Sequence, residues 1–512
     1  MKLNTMTAMA ALLIAGAALT APAMAQKASD TLKLTVLDPF PMIDPFWVPA
    51  NEANQWNREV FGRFVVYDEY KGQFVGELAK AWRHIDEKTI EFDLRDDINF
   101  SSGNHFTGED VKYTLEYIAD PKVNIRFKQR YDWVERVDVI SPYKVRVHAK
   151  QARPDDIEVM AYRFHILDKK VHEKLEDKQS YGRTTASSTG AYKLVSIDHN
   201  GNVRLTRNDE AVSKLKNIRA PIKNIVGVPV PDRQTQIAQL LTGGVHVLAK
   251  VGPDLLSEFA GNPNFSITPF STRLLIYVTL DAAGRSDNKI FTDKRMREAF
   301  IRAVDREKII KAFVPGADIA VRPDAICFSD NIGCASSTKP YAYDPEGAKK
   351  LLAEAGKPDG FEMELSAFTP YKAVAEAIAG DLRRVGIRAT VQPLTIAVYT
   401  KLRGDGKLTA LVAEYPTFSQ PNLINIMDVF FGGDRDYSND PVIKKINEEG
   451  AKTLDLVKRT EMYKQAMDQV NREAYIMPIS EQPNLFIHAK DVEIKPGLTS
   501  KTETRPGDYF WK

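Results

Sequence analysis

Two periods of apolar and polar residues run through the chain and predict its secondary structure. Residues 31–37 (TLKLTVL) alternate in polarity, as expected for a strand with one buried face. Residues 107–118 instead repeat their apolar positions at helical spacing, and Thr107 and Asp110 stand close to the capping-box pattern that begins a helix. Strand and helix patterns are intermingled with no low-complexity tract, so the sequence predicts a mixed α/β fold.

Local start and stop signals mark further helices. Asp344-Pro345 predicts a helix N-terminus, because Asp caps the first turn and Pro at the first helical position loses no hydrogen bond. Gly356 predicts the end of that helix. A second helix is predicted over 372–385, and the glycine after it leads into a β-branched strand over 387–391.

The segment 294–313 has the pattern of a single amphipathic helix. We expect its apolar face to contact a core through Met296, Phe300, Val304 and Phe313.

The N-terminus has the three parts of a secretory signal peptide. Lys2 supplies the positive charge, residues 6–20 are apolar, and Ala23-Met24-Ala25 is an A-x-A cleavage site before Gln26. The alternative, a membrane anchor, is disfavoured because the apolar run is short for a bilayer span. No Cys stands at the cleavage site, which argues against a lipid anchor. The mature chain is therefore expected to be exported and soluble.

The net charge limits the classes of binding partner that are expected, and the two cysteines indicate a disulfide. The net charge is +2, of which Lys2 contributes one, so the mature chain shows no electrostatic signature for nucleic acid or an anionic membrane. Cys327 and Cys334 are the only cysteines, and an oxidising compartment favours a local disulfide between them. A pair of free thiols remains the alternative. We expect no metal site and no cofactor.

Motifs for exported enzymes are missing from the sequence. It contains no G-x-S-x-G elbow, no H-E-x-x-H and no phosphate-binding glycine loop. Residues 172–176 (HEKLE) begin like a zinc motif but lack the second His, and we expect them on the exposed face of a charged helix. The motif Thr242-Gly243-Gly244 is interpreted as a helix stop. The chain is therefore not expected to be an enzyme, and an exported hydrolase stays a remote alternative.

Four short motifs that follow one another carry a resemblance to a known family. They are LAKAW at 78–82, TIEFDLR at 89–95, NFSSG at 99–103 and FTGEDV at 106–111. Their order and spacing resemble the periplasmic solute-binding proteins of the peptide/nickel/opine class, the receptors of ATP-binding-cassette importers (solute-binding protein family 5). The resemblance extends from the first strand to about Pro496. Ala191 and His246 depart from the family pattern at positions that look structural.

The resemblance implies a two-lobed periplasmic-binding-protein fold with a hinge and an extra domain inserted in the first lobe. Ligand would lie between the lobes, which would close over it. The implied boundaries are 1–25 for the signal peptide, 27–52, 188–270 and 483–512 for lobe one, 53–187 for the inserted domain, and 271–482 for lobe two.

The segment 411–418 (LVAEYPTF) is the best candidate for a binding site. It resembles a family segment W-x-A-D-Y in which the Asp pairs with the α-ammonium of a peptide ligand, so the resemblance places Glu414 in that role. Leu411 replaces the family's Trp, and Tyr415 and Phe418 complete the segment. The alternative is that Glu414 is an ordinary strand-end carboxylate. Further candidates are Trp47, Tyr131, Trp133, Glu481, Gln482 and, for a ligand carboxylate, Arg273.

The resemblance implies a monomeric receptor that captures a short peptide and delivers it to a membrane permease without chemistry. An opine or another amino-acid conjugate is the alternative ligand, because the changes at Leu411 and Glu414 depart from a standard peptide site.

Overall fold

The computed structural model describes residues 27–36, 39–47, 51–125, 128–184, 186–249, 251–270, 272–416, 422–501 and 504–512. The predicted signal peptide lies outside these residues. The chain divides into two compact units. The first contains the residues up to Gln151, then Val159–Thr268 and Leu485–Lys512, and the second contains Ala152–Glu158 and Pro269–Asn484. The predicted division of the first unit into a lobe and an inserted domain stays a prediction.

Strands and helices alternate throughout the described residues, as the mixed polarity patterns predict. The strands are β1 Thr31–Val36, β2 Val65–Asp68, β3 Gln73–Gly76, β4 Ala79–Asp86, β5 Thr89–Leu94, β6 Val134–Ser141, β7 Lys144–Ala149, β8 Tyr192–Ile197, β9 Val203–Arg207, β10 Asn224–Pro229, β11 Val247–Leu248, β12 Phe265–Phe270, β13 Leu274–Leu280, β14 Phe361–Phe368, β15 Ile387–Leu394, β16 Ala410–Pro416, β17 Ile476–Glu481, β18 Asn484–Ala489, β19 Val492–Ile494 and β20 Tyr509–Trp511. The helices are α1 Asn51–Val60, α2 Gly108–Ala119, α3 Asp156–Arg163, α4 Lys169–His172, α5 Asp209–Lys214, α6 Arg233–Leu241, α7 Pro253–Phe259, α8 Lys294–Ala303, α9 Arg306–Phe313, α10 Pro345–Glu354, α11 Lys372–Arg383, α12 Ile396–Gly404, α13 Leu423–Phe431, α14 Pro441–Gly450 and α15 Leu456–Arg472.

The first unit is built on a seven-stranded sheet in the order β12-β18-β11-β1-β10-β9-β8. Strand β1 pairs in parallel with β10 and β11, β9 runs antiparallel to β10, and β18 runs antiparallel to β11. A separate four-stranded antiparallel sheet, β4-β5-β7-β6, follows in the first third of the chain. The four motifs that suggested the family therefore lie in and around this smaller sheet and α2.

The second unit is built on the five-stranded sheet β15-β14-β16-β13-β17. Strand β13 lies between β16 and β17 and runs antiparallel to both. Alternate residues of β13 enter different cores, because successive side chains of a strand point to opposite faces. Ile276 and Val278 belong to one hydrophobic cluster, whereas Leu275 and Tyr277 belong to the other. Both faces of the sheet are thus covered.

The helix ends predicted from Thr107, Asp344 and Gly356 are confirmed. Thr107 caps α2 by accepting a hydrogen bond from Glu109 N at 3.3 Å, and Asp110 returns one by accepting from Thr107 N at 2.9 Å. Asp344 caps α10, which ends one residue before Ala355 and is followed by Gly356 at φ +77°. In the same way α11 leads through a positive-φ glycine into β15.

The prediction of one helix over 294–313 is wrong. The segment forms α8 and α9, because Asp305 stops the first helix and caps the second by accepting from Lys308 N at 3.0 Å. Asp305 N in turn donates to Asp381 Oδ2 at 3.0 Å, which fixes the break. Phe313 is 37% exposed rather than in the core. The other three predicted core residues are buried, namely Met296, Phe300 and Val304.

The prediction of an exposed charged helix at 172–176 is wrong about the helix and about His172, whereas Glu173, Lys174 and Glu176 are exposed. His172 ends the single turn α4 and is buried. Its Nδ1 lies 2.7 Å from the Tyr113 hydroxyl, and burial lowers the pKa of the imidazole to about 4. Packing against α2 therefore decides the position of this side chain. Within the described part of the chain, no helix is both long and apolar enough to span a bilayer.

Candidate functional site

Glu414 lies near the end of β16, next to a buried tyrosine. It pairs in register with Ile276 and, by the alternation of the strand, points to the opposite face from Tyr415. The Tyr371 hydroxyl contacts Glu414 Oε2 and lies 3.0 Å from Gln482 Oε1. Burial and the negative charge of Glu414 raise the pKa of Tyr371, so this phenol keeps its proton. The structure thus brings two predicted site residues, Glu414 and Gln482, to one hydroxyl group.

Leu411 and Tyr415 lie on the other face of β16, inside the core. Leu411 is completely buried in the cluster that also contains Phe430. The Tyr415 ring meets the edge of Phe430 at 5.3 Å between centroids and is tilted against Phe328 at 6.3 Å. These side chains shape the strand that carries Glu414. Phe418 lies outside the described residues.

One loop, which carries Ser329 and Asp330, contacts two further predicted site residues, Arg273 and Glu481. Arg273 forms a bidentate ion pair with Asp330, through Nε at 3.1 Å and Nη2 at 2.9 Å. Buried Glu481 accepts a hydrogen bond from Ser329 N at 3.1 Å. Burial raises the pKa of the Glu481 carboxyl to about 7, against the lowering effect of the Ser329 backbone. Arg273 is therefore already matched by a protein carboxylate.

The loop that carries Ser329 and Asp330 is closed by a disulfide between Cys327 and Cys334, whose Cα atoms are 5.9 Å apart. Inside the ring, Asn331 Oδ1 accepts from Phe328 N at 3.0 Å. The disulfide and this turn together restrict the loop that contacts Arg273 and Glu481.

Tyr131 and Trp133 belong to an aromatic cluster of the first unit. Both rings meet Phe164 edge to face, at 5.6 and 5.7 Å, and Phe46 meets Tyr131 in the same way at 5.6 Å. All four side chains are buried. Trp47 follows Phe46 and is half-buried, with an indole N–H that donates to no residue in the described ranges.

Two arginines stand beside this aromatic cluster, and sequence reasoning missed them. Burial, together with the positive charge of Arg163, lowers the pKa of Arg130 to about 10. Both guanidinium groups also act on the Tyr131 phenol. No local signal links two residues so far apart in sequence. Elsewhere, the described residues contain no group of three or more His, Cys, Asp or Glu able to hold a metal ion.

Comparison with known proteins decides the class of this chain. Residues 73–438 match the model of the bacterial extracellular solute-binding proteins, family 5. The chain belongs to this family. It is accordingly a solute-binding receptor of the ABC-importer type, a class of extracytoplasmic binding proteins rather than enzymes. The family that the four motifs suggested is confirmed.

Relatives and solved structures agree with this assignment. The glutathione-binding protein GsiB of Salmonella typhi is 22% identical over 443 residues, which cover 81% of this chain and 82% of GsiB. The structure of HbpA2 from Haemophilus parasuis has a TM-score of 0.79 at 19% identity, covering 94% of this chain and all of HbpA2. CtaP from Listeria monocytogenes has a TM-score of 0.81 at 18% identity, with 94% and 99% covered. The predicted fold class is thereby confirmed.

Proposed function

We propose that this receptor captures a short peptide and delivers it to the membrane permease of an ABC importer. The observation that carries the proposal is the carboxylate of Glu414 in the second unit, which the Tyr371 hydroxyl contacts. A peptide carries the complementary group, an ammonium. Glutathione, named for the relative GsiB, is such a peptide.

Glu414 has the chemistry that this role needs. An ammonium group beside Glu414 would form a charge-assisted hydrogen bond, which is stronger than a neutral one. Tyr371 holds the carboxylate in place through Oε2.

An opine or another amino-acid conjugate has the same charges and is the alternative ligand. We further propose that residues 1–25 direct export, that the mature protein is a soluble periplasmic monomer, and that it performs no chemistry and binds no nucleic acid.

Calorimetry with a peptide panel tests the proposed function. The panel contains trialanine, N-acetyl-trialanine and glutathione, and the proteins are wild type, Glu414→Gln and the control Glu449→Gln, which alters an exposed carboxylate of the same unit. We expect Glu414→Gln to weaken trialanine binding by about tenfold and to bind the free and the acetylated peptide alike. Glu449→Gln should match wild type. If no peptide binds the wild type, or if the two variants behave alike, the proposal is wrong.

A further inference from the structure

Glu158, at the edge of the second unit, is a buried carboxyl group with one oxygen left without a partner. It is 2% exposed. Its Oε1 accepts a hydrogen bond from Asn422 N at 3.2 Å, whereas its enclosed Oε2 accepts none from any residue of the described ranges. Leaving a buried acceptor unpaired costs free energy, so such a group calls for an explanation.

A structural carboxylate of this protein looks different. Asp168 is fully buried, yet both of its oxygens accept hydrogen bonds. Ser102 and Ser187 donate to Oδ2 at 2.6 and 2.7 Å, and the Asn104 amide contacts both oxygens at 3.0–3.1 Å. The fold can therefore satisfy a buried carboxylate completely, but it does not do so at Glu158.

Two more unpaired polar groups belong to residues beside Asn422, one on a paired segment and one on the helix that Asn422 caps. Asn331 precedes Ile332, which pairs with Asn422 and whose carbonyl accepts from Leu423 N at 3.0 Å. Asn425 lies on the first turn of α13, three residues after Asn422. The Nδ2 atoms of Asn331 and Asn425 are enclosed and donate to no acceptor in the part of the chain that the structure describes. One acceptor and two donors are therefore left open on residues that are connected through Asn422.

Arg459, the cation that faces Glu158, does not form an ion pair with it. Burial, together with the negative charge of nearby Asp155, raises the pKa of the Glu158 carboxyl to about 8, while the Asn422 contacts and Arg459 oppose this rise. Arg459 Nη1 donates to the Thr453 carbonyl at 2.7 Å instead of forming an ion pair with Glu158. A positively charged group that reached this carboxyl would supply the missing partner.

The place of Glu158 connects it with the predicted binding segment. Its charge contributes to raising the pKa of Tyr415, one of the predicted site residues. Asn422, its hydrogen-bond donor, follows the same segment in sequence. Glu414 differs from Glu158 because its Oε2 is already contacted by the Tyr371 hydroxyl.

We propose that Glu158 binds an N–H cation of the ligand, and that the amides of Asn331 and Asn425 donate to ligand oxygens beside it. The cation is a basic side chain of the peptide if Glu414 holds the α-ammonium, and it is the α-ammonium itself if Glu414 does not. This inference rests on the proposed function, since it assigns one group of the peptide to one carboxyl of the receptor. It makes Glu158 a determinant of ligand specificity.

Three peptides separate the two sources of the cation. Ala-Lys-Ala carries both cations, N-acetyl-Ala-Lys-Ala lacks the α-ammonium, and trialanine lacks the side-chain cation. Their affinities are measured by calorimetry for wild type, Glu158→Gln and the control Glu449→Gln, which alters an exposed carboxylate of the same unit. For wild type, we expect loss of the cation that contacts Glu158 to weaken binding by about tenfold. For Glu158→Gln, we expect the same loss to change affinity by less than about twofold.

The outcomes distinguish this inference from the proposed function. If Glu158→Gln no longer distinguishes Ala-Lys-Ala from its acetylated form, the cation that contacts Glu158 is the α-ammonium. If Glu158→Gln no longer distinguishes Ala-Lys-Ala from trialanine, that cation is the lysine side chain. If Glu158→Gln follows wild type on all three peptides, or if Glu449→Gln loses as much, the inference is wrong while peptide binding stands. If none of the peptides binds the wild type, both proposals fail.

A second measurement needs no variant. Calorimetry of the wild type in buffers of different ionisation enthalpy counts the protons released on binding. Because the unliganded Glu158 carboxyl holds its proton up to an unusually high pH, a bound cation should displace that proton near pH 7. We expect more proton release with Ala-Lys-Ala than with the peptide that lacks the relevant cation. Equal release with all three peptides would contradict the inference.

Discussion

Replacing Glu158 by Gln should change how the stability of the protein depends on pH. The substitution keeps the size of the side chain and removes its charge. Burial raises the pKa of the folded carboxyl from 4.5 to about 8, so the folded protein holds this proton more tightly than the unfolded chain. The resulting stability is fully present below about pH 4.5 and is lost as the pH rises towards 8.

The size of the effect follows from the difference between the two pKa values. That difference is about 3.5, and each pKa unit corresponds to about 1.4 kcal/mol, so the upper bound is about 5 kcal/mol. Structural relaxation around the ionised group reduces the effective cost. We therefore expect the unfolding free energy of wild type to fall by about 2–5 kcal/mol more than that of Glu158→Gln as the pH rises from about 4.5 to about 8.

Urea unfolding of wild type and Glu158→Gln at about pH 5 and about pH 8.5 measures this difference. Asp44, Glu59 and Glu481 also have carboxyl pKa values raised by burial to about 7, but they are present in both proteins and cancel in the comparison. Glu449→Gln serves as the control and should follow wild type. If Glu158→Gln loses as much stability as wild type between the two pH values, burial does not raise the pKa of the Glu158 carboxyl in the folded protein.

Three further predictions concern the second unit. Glu414→Gln should weaken trialanine binding in calorimetry by about tenfold with an unchanged circular dichroism spectrum, and an unchanged affinity would remove Glu414 from the site. Replacing Cys327 and Cys334 by Ser should lower the urea unfolding free energy by about 2.5 kcal/mol, because the open chain gains loop entropy; a loss under about 0.5 kcal/mol would show that the turn holds without the bond. Leu411→Ala should destabilise the fold by about 2–5 kcal/mol in the same assay and leave peptide affinity unchanged, because this side chain is enclosed in the core; weaker binding without destabilisation would contradict its placement.

Local chemistry predicted those elements whose ends are set by neighbouring residues. The cap formed by Thr107 and Asp110 and the Asp344-Pro345 start are satisfied within one turn, so the sequence alone is enough to place them. The same kind of signal was overlooked at Asp305. There the apolar pattern continues through 294–313, but an Asp cap inside the pattern divides it into two helices.

The positions of the other side chains depend on tertiary contacts, which cannot be predicted from a single sequence. His172 is drawn into the interior by Tyr113, which lies far away in the chain. Arg130 and Arg163 meet only through packing, and the open oxygen of Glu158 is visible only when every neighbour is placed. Family resemblance therefore pointed to Glu414, whereas the structure adds candidates that no motif contains.

Native mass spectrometry of the protein isolated directly from the periplasm, without refolding, tests the central claim that the ligand is a short peptide. We expect retained masses that correspond to short peptides, differ by amino-acid residues and disappear on denaturation. A single retained solute that contains no peptide bond, such as an opine, would contradict it.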